Sequence, residues 1–230
     1  MNAHRKICAV VPVKDTTNAK QRLAGVLSGG ERQQLALAMF EDVLEALVQV
    51  EELAGILVVT ADPVASAIAA RYGAEVSREG ADDGHTGAVA AAARQLAAKG
   101  SDLLAMPGDI PLVEACDIRQ LVAAHVAAAQ GGAPAFTIVP ARDRRGSNAV
   151  LCSPPQAVPL RFGENSFFPH LAVARARGIE PAVVELEHVA LDIDTPDDLA
   201  LFLAAPASTR ARELLARWRW QRGADVEASA

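Results

Sequence analysis

Between the two apolar runs of LLAMPGDIPLV, residues 103–113, stands a single carboxylate, Asp109. Pro107 and Gly108 cannot extend a strand comfortably, so the first run halts and Asp109 is left at its carboxyl end. There it is either a ligand in a crevice or the cap of a helix that begins near Val113. Asp192-Ile193-Asp194 alternates polar, apolar, polar, so an extended segment turns both carboxylates the same way. Asp194 is equally placed to cap the helix that follows, whereas Asp192 reads as a ligand. Two acidic clusters at strand ends, far apart in sequence, suit a hard divalent cation such as Mg²⁺. Such a metal implies phosphate, and phosphate needs counter-charge. Lys14, Lys20 and Arg22 lie on the loop after the first apolar run, where an α/β crevice would hold a nucleoside triphosphate; a solvated basic loop is the alternative. Gly29-Gly30 precede no lysine-serine pair, so there is no Walker signature. A third set comes from PARDRRGSN (140–148) and RFGENSF (161–167). Gly146 and Gly163 permit close backbone approach, and Ser147, Asn148 and Ser166 are neutral donors, Ser166 also being expected to cap a helix running through His170. Ser166 and His170 are four apart, but no serine stands in a Gly-x-Ser-x-Gly elbow, which argues against a hydrolase.

Positioning these groups requires strand ends, and the chain supplies them. Short β-branched runs at 7–11, 56–60, 74–77, 103–105, 135–139, 149–152 and 182–185 alternate with Ala- and Leu-rich helical stretches. That pattern predicts an α/β fold, a mostly parallel twisted sheet flanked by helices. Ser28 and Glu31 have the spacing of a capping box, and the helix they open brings Leu35, Met39, Val43 and Leu47 to one face, expected to pack on the sheet. Asp62 caps a second helix with Pro63 at its first position and Gly73 as its stop. A third is expected over 86–99, ended by Gly100, and Thr195-Pro196-Asp197-Asp198 opens the last core helix. In open sheets of this kind ligands gather where the strands end.

Composition narrows the chemistry. A formal charge of −6 with no compensating basic run argues against nucleic acid or an anionic membrane as partner. Cys8, Cys116 and Cys152 are scattered and odd in number, read as reduced and mostly buried thiols in a cytoplasmic protein. The run 7–11 is too short for a signal-peptide core or membrane span. Residues 1–205 are expected to form one domain and 206–230 an appended helix with a disordered tail. Trp218 and Trp220 of that helix would pack on their own core or on a second subunit of a homodimer.

Read in order, VPVK, AKQRL, LSGGER, VVTAD, MPGDIPLV, RRGSNAVLCSPP, RFGENSF and DIDTPDDL resemble the 2-phospho-L-lactate guanylyltransferase family over roughly residues 7 to 204. DIDTPDDL and the PGD turn are shared with the wider molybdopterin-guanylyltransferase-like and sugar-nucleotidyltransferase group. The resemblance implies a GT-A-like nucleotidyltransferase using GTP and Mg²⁺. It also implies a phosphorylated three-carbon acid as acceptor (2-phospho-L-lactate, phosphoenolpyruvate or 3-phosphoglycerate) in biosynthesis of the deazaflavin coenzyme F420. It assigns Asp109, Asp192 and Asp194 to metal, and Lys14, Lys20 and Arg22, with Asp109, to the reaction and the nucleotide phosphates. Pro12, Val13, Thr60, Asp62, Pro107 and the segment Gly84-His85-Thr86 fall on the nucleotide side; Ser147, Asn148, Gly163 and Ser166 fall on the acceptor side. Ser147 stands where threonine is usual, and Gly84-His85-Thr86 replaces the usual Gly-Leu-Asn against the nucleoside. His85 would either meet the base or be a loop histidine. Rivals are a cytidylyl- or molybdopterin-type transferase with another acceptor, a non-catalytic nucleotide-binding domain, or an interaction module.

Overall fold

A computed structural model describes residues 6–163, 165–218 and 220. Among them seven strands build one sheet: β1 (Ile7–Pro12), β2 (Leu53–Val59), β3 (Glu75–Ser77), β4 (Asp102–Ala105), β5 (Ala135–Pro140), β6 (Ser147–Ser153) and β7 (Ala182–Val183). Each lies on an expected run, with ends displaced by a few residues at most. The spatial order is β3-β2-β1-β4-β6-β5-β7. All neighbours pair in parallel except β6, which runs against both β4 and β5.

Alternation along the strands divides the core. Ala9, Val11, Val58, Leu104 and Leu151 face a layer built by α1 (Gly29–Val48), α2 (Pro63–Arg71) and α4 (Ala115–Ala128). Val10, Leu57, Leu103, Ile138 and Val150 face α3 (Gly84–Ala98) and α5 (Phe167–Ala176). A period of two against two helical layers is what a sheet buried on both faces requires. The chain then adds α6 (Glu187–Ala190), α7 (Pro196–Ala204) and α8 (Arg210–Arg217).

The local signals work as their chemistry demands. Ser28 and Glu31 close a reciprocal capping box, Asp62 caps α2 ahead of Pro63, and Thr195 with Asp198 does the same for α7. Three expectations need correction. The third helix starts two residues early, at Gly84, because that glycine takes φ 73° and turns the chain into the helix ahead of Thr86. The stripe on α1 does not face the sheet throughout. Val43 and Leu47 do, but Leu35 and Met39 join Leu23, Phe202, Ala211 and Leu215 in a third cluster that contains α8. Trp218 and Trp220 pack against this cluster, so the C-terminal segment lies on its own chain's core; the tail expected beyond it falls outside the described residues. The three cysteines are free and Cys152 is buried, but Cys116 is exposed on the first turn of α4, departing from the expected burial. No described helix is long and apolar enough to cross a membrane.

The topology positions the site. β1 has β2 on one side and β4 on the other, so the chain leaves β1 and β4 in diverging directions at a switch point.

Candidate active site

At that switch point opens a cleft of about 720 Å³, lined from three sides. Lys14 and Arg22 come from the loop after β1, Asp109 from the segment after β4, and Asp192 and Asp194 from the segment before α7. The last two stretches meet through their backbones, Ile193 N–H donating to the Asp109 carbonyl at 3.1 Å. Ile193 is buried, which leaves its two flanking aspartates on the cleft side, as the alternation requires. Neither Asp109 nor Asp194 is a helix cap. Glu114 caps α4 and Thr195 caps α7, so both carboxylates remain available for the cleft.

Lys20 joins them. Its backbone takes the left-handed conformation (φ 52°, ψ 47°), uncommon for a residue with a side chain. From there Nζ donates to Asp109 Oδ2 at 2.5 Å and to Asp194 Oδ1 at 2.8 Å. Two oxygens held by one ammonium are necessarily near neighbours, although 85 residues separate them in sequence. Burial alone would push the Lys20 ammonium down, but the two carboxylates outweigh it and hold the group above the ordinary lysine range. The same pair works on Asp194. Burial raises its carboxyl, and Lys20 and Arg22, the latter 3.8 Å away, bring the net result below the usual value. Asp192 goes the other way. Burial and then the charge of Asp109 raise it, partly offset by a bond from Asn148.

This arrangement revises the reading of two side chains. Lys20, expected on nucleotide phosphates, lies with its ammonium among the carboxylates, where attraction to two anions in a buried place exceeds that to solvent. Asn148, expected on the acceptor, spends both amide protons within the protein, on the Val189 carbonyl at 3.0 Å and on Asp192 Oδ1 at 3.1 Å. It holds the carboxylate in place. Among the described residues no three carboxylate, histidine or cysteine side chains are arranged so that they could hold a metal ion. Even so, the donor set fits a hard cation. The buried Oδ1 of Asp109 has no hydrogen-bond partner, and the Lys20 ammonium already stands in as a positive charge between two carboxylates.

Thr60 and Asp62 are not brought to the cleft. Asp62 Oδ2 accepts from Thr16 N–H at 2.9 Å and from its hydroxyl at 2.5 Å, while Oδ1 caps α2 and Thr60 Oγ1 accepts from Asp62 N–H. These buried groups fix the loop that carries Lys14 and Lys20. Pro12 and Val13 likewise serve as backbone, Val13 N–H extending the β1–β2 ladder to the Val59 carbonyl at 2.9 Å.

The opposite wall is built by α3, α5 and the start of β6. His85 and Thr86 occupy the first turn of α3, and Pro107, Gly163, Ser147 and Ser166 line the same cleft. Gly163 takes φ 140°, a conformation that side-chain-bearing residues rarely adopt. Thr86 Oγ1 accepts from Phe162 N–H at 3.0 Å, which ties α3 to the 161–163 loop. His85 lies edge-on to Phe162 with ring centroids 4.5 Å apart, and burial pushes its imidazole down to about 4, so it is neutral at pH 7. Ser166 stands at the N-cap position of α5, but its side chain does not cap. Its hydroxyl goes instead to Ser147 Oγ at 3.2 Å, and Ser147 Oγ lies 3.0 Å from His170 Nδ1. Phe162 and His170 were not among the expected site residues. His170 was visible only as a residue four beyond Ser166, a spacing that says nothing about Ser147 on β6.

The cleft therefore has an acidic floor held by a lysine, cations at one lip, and a neutral hydroxyl pair at a helix start across from them. Such a site can gather two phosphorylated molecules and neutralise charge between them. Comparison with known proteins gives the relatives of the whole chain. The family model described as "Guanylyl transferase CofC like" matches residues 7–228. The chain is 37% identical to phosphoenolpyruvate guanylyltransferase of Roseiflexus castenholzii, over 95% of this chain and 98% of that one. It is 34% identical to 2-phospho-L-lactate guanylyltransferase of Methanothermobacter thermautotrophicus (96% of each) and 37% identical to 3-phospho-D-glycerate guanylyltransferase of Colwellia psychrerythraea (89% and 96%). Among solved structures, a protein described as a nucleotide-diphospho-sugar transferase from Desulfovibrio desulfuricans superposes with TM-score 0.72 at 18% identity, covering 92% of this chain and 94% of that one, a likeness of fold.

Proposed function

Since the chain belongs to the CofC-like guanylyltransferase family, we propose that it transfers the guanylyl group of GTP to the phosphate of a small phosphorylated three-carbon acid, releasing pyrophosphate. Phosphoenolpyruvate, 2-phospho-L-lactate and 3-phosphoglycerate are the candidate acids, and the product would feed assembly of a deazaflavin coenzyme. The observation that carries the proposal is the Lys20-bridged pair Asp109 and Asp194, facing the Ser147–Ser166 hydroxyls across one cleft.

In the reaction an oxygen of the acceptor phosphate forms a bond to the α-phosphorus of GTP as the bond to the β-phosphate oxygen breaks. The attacking oxygen is already ionised at neutral pH, so no general base is required. The work left to the protein is positioning two anions and countering their charge. Lys14 and Arg22 at the lip would take the nucleotide phosphates, and the first turn of α3 with His85 would meet the nucleoside. Ser147, Ser166 and Gly163 would hold the acceptor. Asp109, Asp192 and Asp194 would hold Mg²⁺, which when bound supplies charge neutralisation and alignment of phosphate oxygens. Lys20 keeps Asp109 and Asp194 together, and Asn148 holds Asp192.

The test is a pyrophosphate-release assay that crosses the four nucleoside triphosphates with the three acids in the presence of Mg²⁺. Turnover should be confined to GTP among the nucleotides, with one acid preferred. Turnover with CTP in place of GTP, or with none of these acids, would refute the assignment.

A further inference from the structure

On the acceptor wall, a run of hydrogen bonds starts from a group whose role cannot change. The backbone N–H of Arg161 donates to His170 Nε2 at 2.9 Å, and a backbone N–H can only donate, so Nε2 carries the lone pair. Burial pushes the imidazole down to about 4, which leaves one ring proton at neutral pH. That proton is on Nδ1, 3.0 Å from Ser147 Oγ. Ser147 thus accepts from the ring. The Ser147 and Ser166 hydroxyls, 3.2 Å apart, hold two protons between them. One makes their mutual bond. The other has no acceptor among the described residues, and both side chains line the cleft.

We propose that His170 is a positioning residue that fixes the Ser147–Ser166 pair as a hydrogen-bond donor toward the cleft, so that the pair receives an anionic oxygen of the acceptor. This rests on reading the cleft as the acceptor site. With the opposite tautomer Ser147 would have to donate to the ring, and no hydroxyl proton would be left for the ligand. The packing supports a fixed ring, since His170 is held edge-on between Phe162 and Phe136, with centroids 5.4 and 6.3 Å away. The same interactions restrain the 161–163 loop, because Phe162 N–H is bonded to Thr86 while Arg161 N–H is bonded to His170.

Two measurements test this. In protein labelled with ¹⁵N-histidine, nitrogen–proton correlation spectra at neutral pH should show His170 as the Nδ1–H tautomer; an Nε2–H ring overturns the proposal whether or not the enzyme turns over. In kinetics, His170→Phe keeps the ring but removes both nitrogens. It should raise KM for phosphoenolpyruvate by ~10- to 100-fold while KM for GTP stays within about twofold. His170→Asn, which restores a donor near Nδ1, should recover most of that loss. Equal changes in both KM values, or no recovery with asparagine, count against His170 acting through the serines. Inhibition by pyruvate and by inorganic phosphate, compared between the parent and His170→Phe, tells which anionic group the pair holds, since only that inhibitor should weaken. Should both inhibitors be unaffected, the pair does not receive an anion. Absence of turnover with any acid in the unaltered enzyme refutes guanylyl transfer instead, and the tautomer still decides the hydrogen-bond order.

Discussion

At the scale of single residues, the cleft depends on charges whose partners lie far away in sequence. Asp109 has one carboxylate oxygen on Lys20 and the other buried without a partner. A buried acceptor left in that state costs free energy, and such a group is more often kept for binding than for stability. Asp109→Asn should therefore lower the rate of pyrophosphate release by ~100-fold or more, while stability in urea changes by less than about 1 kcal/mol, because Lys20 retains Asp194. Parental turnover in this variant would remove Asp109 from the reaction. Asn148 illustrates how a residue of the right type can be misread. Its amide looked like a donor for the acceptor, yet both protons are committed to Val189 and Asp192.

At the scale of elements, α8 is capped by its own Thr209 and is fastened as well by a carboxylate from another helix. Asp42 of α1 accepts from the backbone N–H of Arg210 at 2.8 Å and of Ala211 at 3.0 Å, at the start of α8. Burial pushes its carboxyl from the ordinary 3.8 up to about 6, with Glu41 adding to the rise and the two N–H donors and Arg210 opposing it. Glu45, paired with Arg210, is the other charged neighbour. The folded state therefore holds a proton on Asp42 where the unfolded chain has released it. This group's contribution to stability is full below the unfolded value and falls as pH rises through the folded one. Relative to Asp42→Asn, the parent should lose about 2 kcal/mol between roughly pH 4 and 6, as read by urea unfolding across that range. A stability difference between the two that is flat with pH would contradict the assignment. Element boundaries were legible where a side chain closes a local ring, as at Ser28, Asp62 and Thr195. The same local ring stands at Thr209 of α8, but the second tie, from Asp42, lies 168 residues away and is not legible.

For the whole molecule, α8 bears on whether the nucleotidyltransferase fold stands without its C-terminal segment. Ala211 and Leu215 are buried in a cluster with Leu35, Met39 and Phe202, and Trp218 and Trp220 cover its edge. Ending the chain before Pro206 would uncover that apolar surface. The truncated protein should be less stable by at least ~3 kcal/mol in urea and should self-associate more than the parent, as mass in solution would reveal. Unchanged stability would mean that the segment is an addition to a complete core.

The sequence by itself determined the α/β class, the strands, three helix starts, and the residue types that gather in the cleft. Those features are encoded locally, in the periodicity of apolar side chains and in caps that close within four residues. Only the tertiary structure decided which members of the list meet. It took Thr60 and Asp62 out of the cleft and placed Lys20 among the carboxylates. It also joined His170 to Ser147 on β6 and, through Ser147, to Ser166 at the head of the histidine's own helix. The reason is physical. A charge or hydroxyl takes whichever partner the fold brings within about 3 Å, and a strand order that sets β4 beside β6 while passing over β5 is not written in any short stretch of the chain.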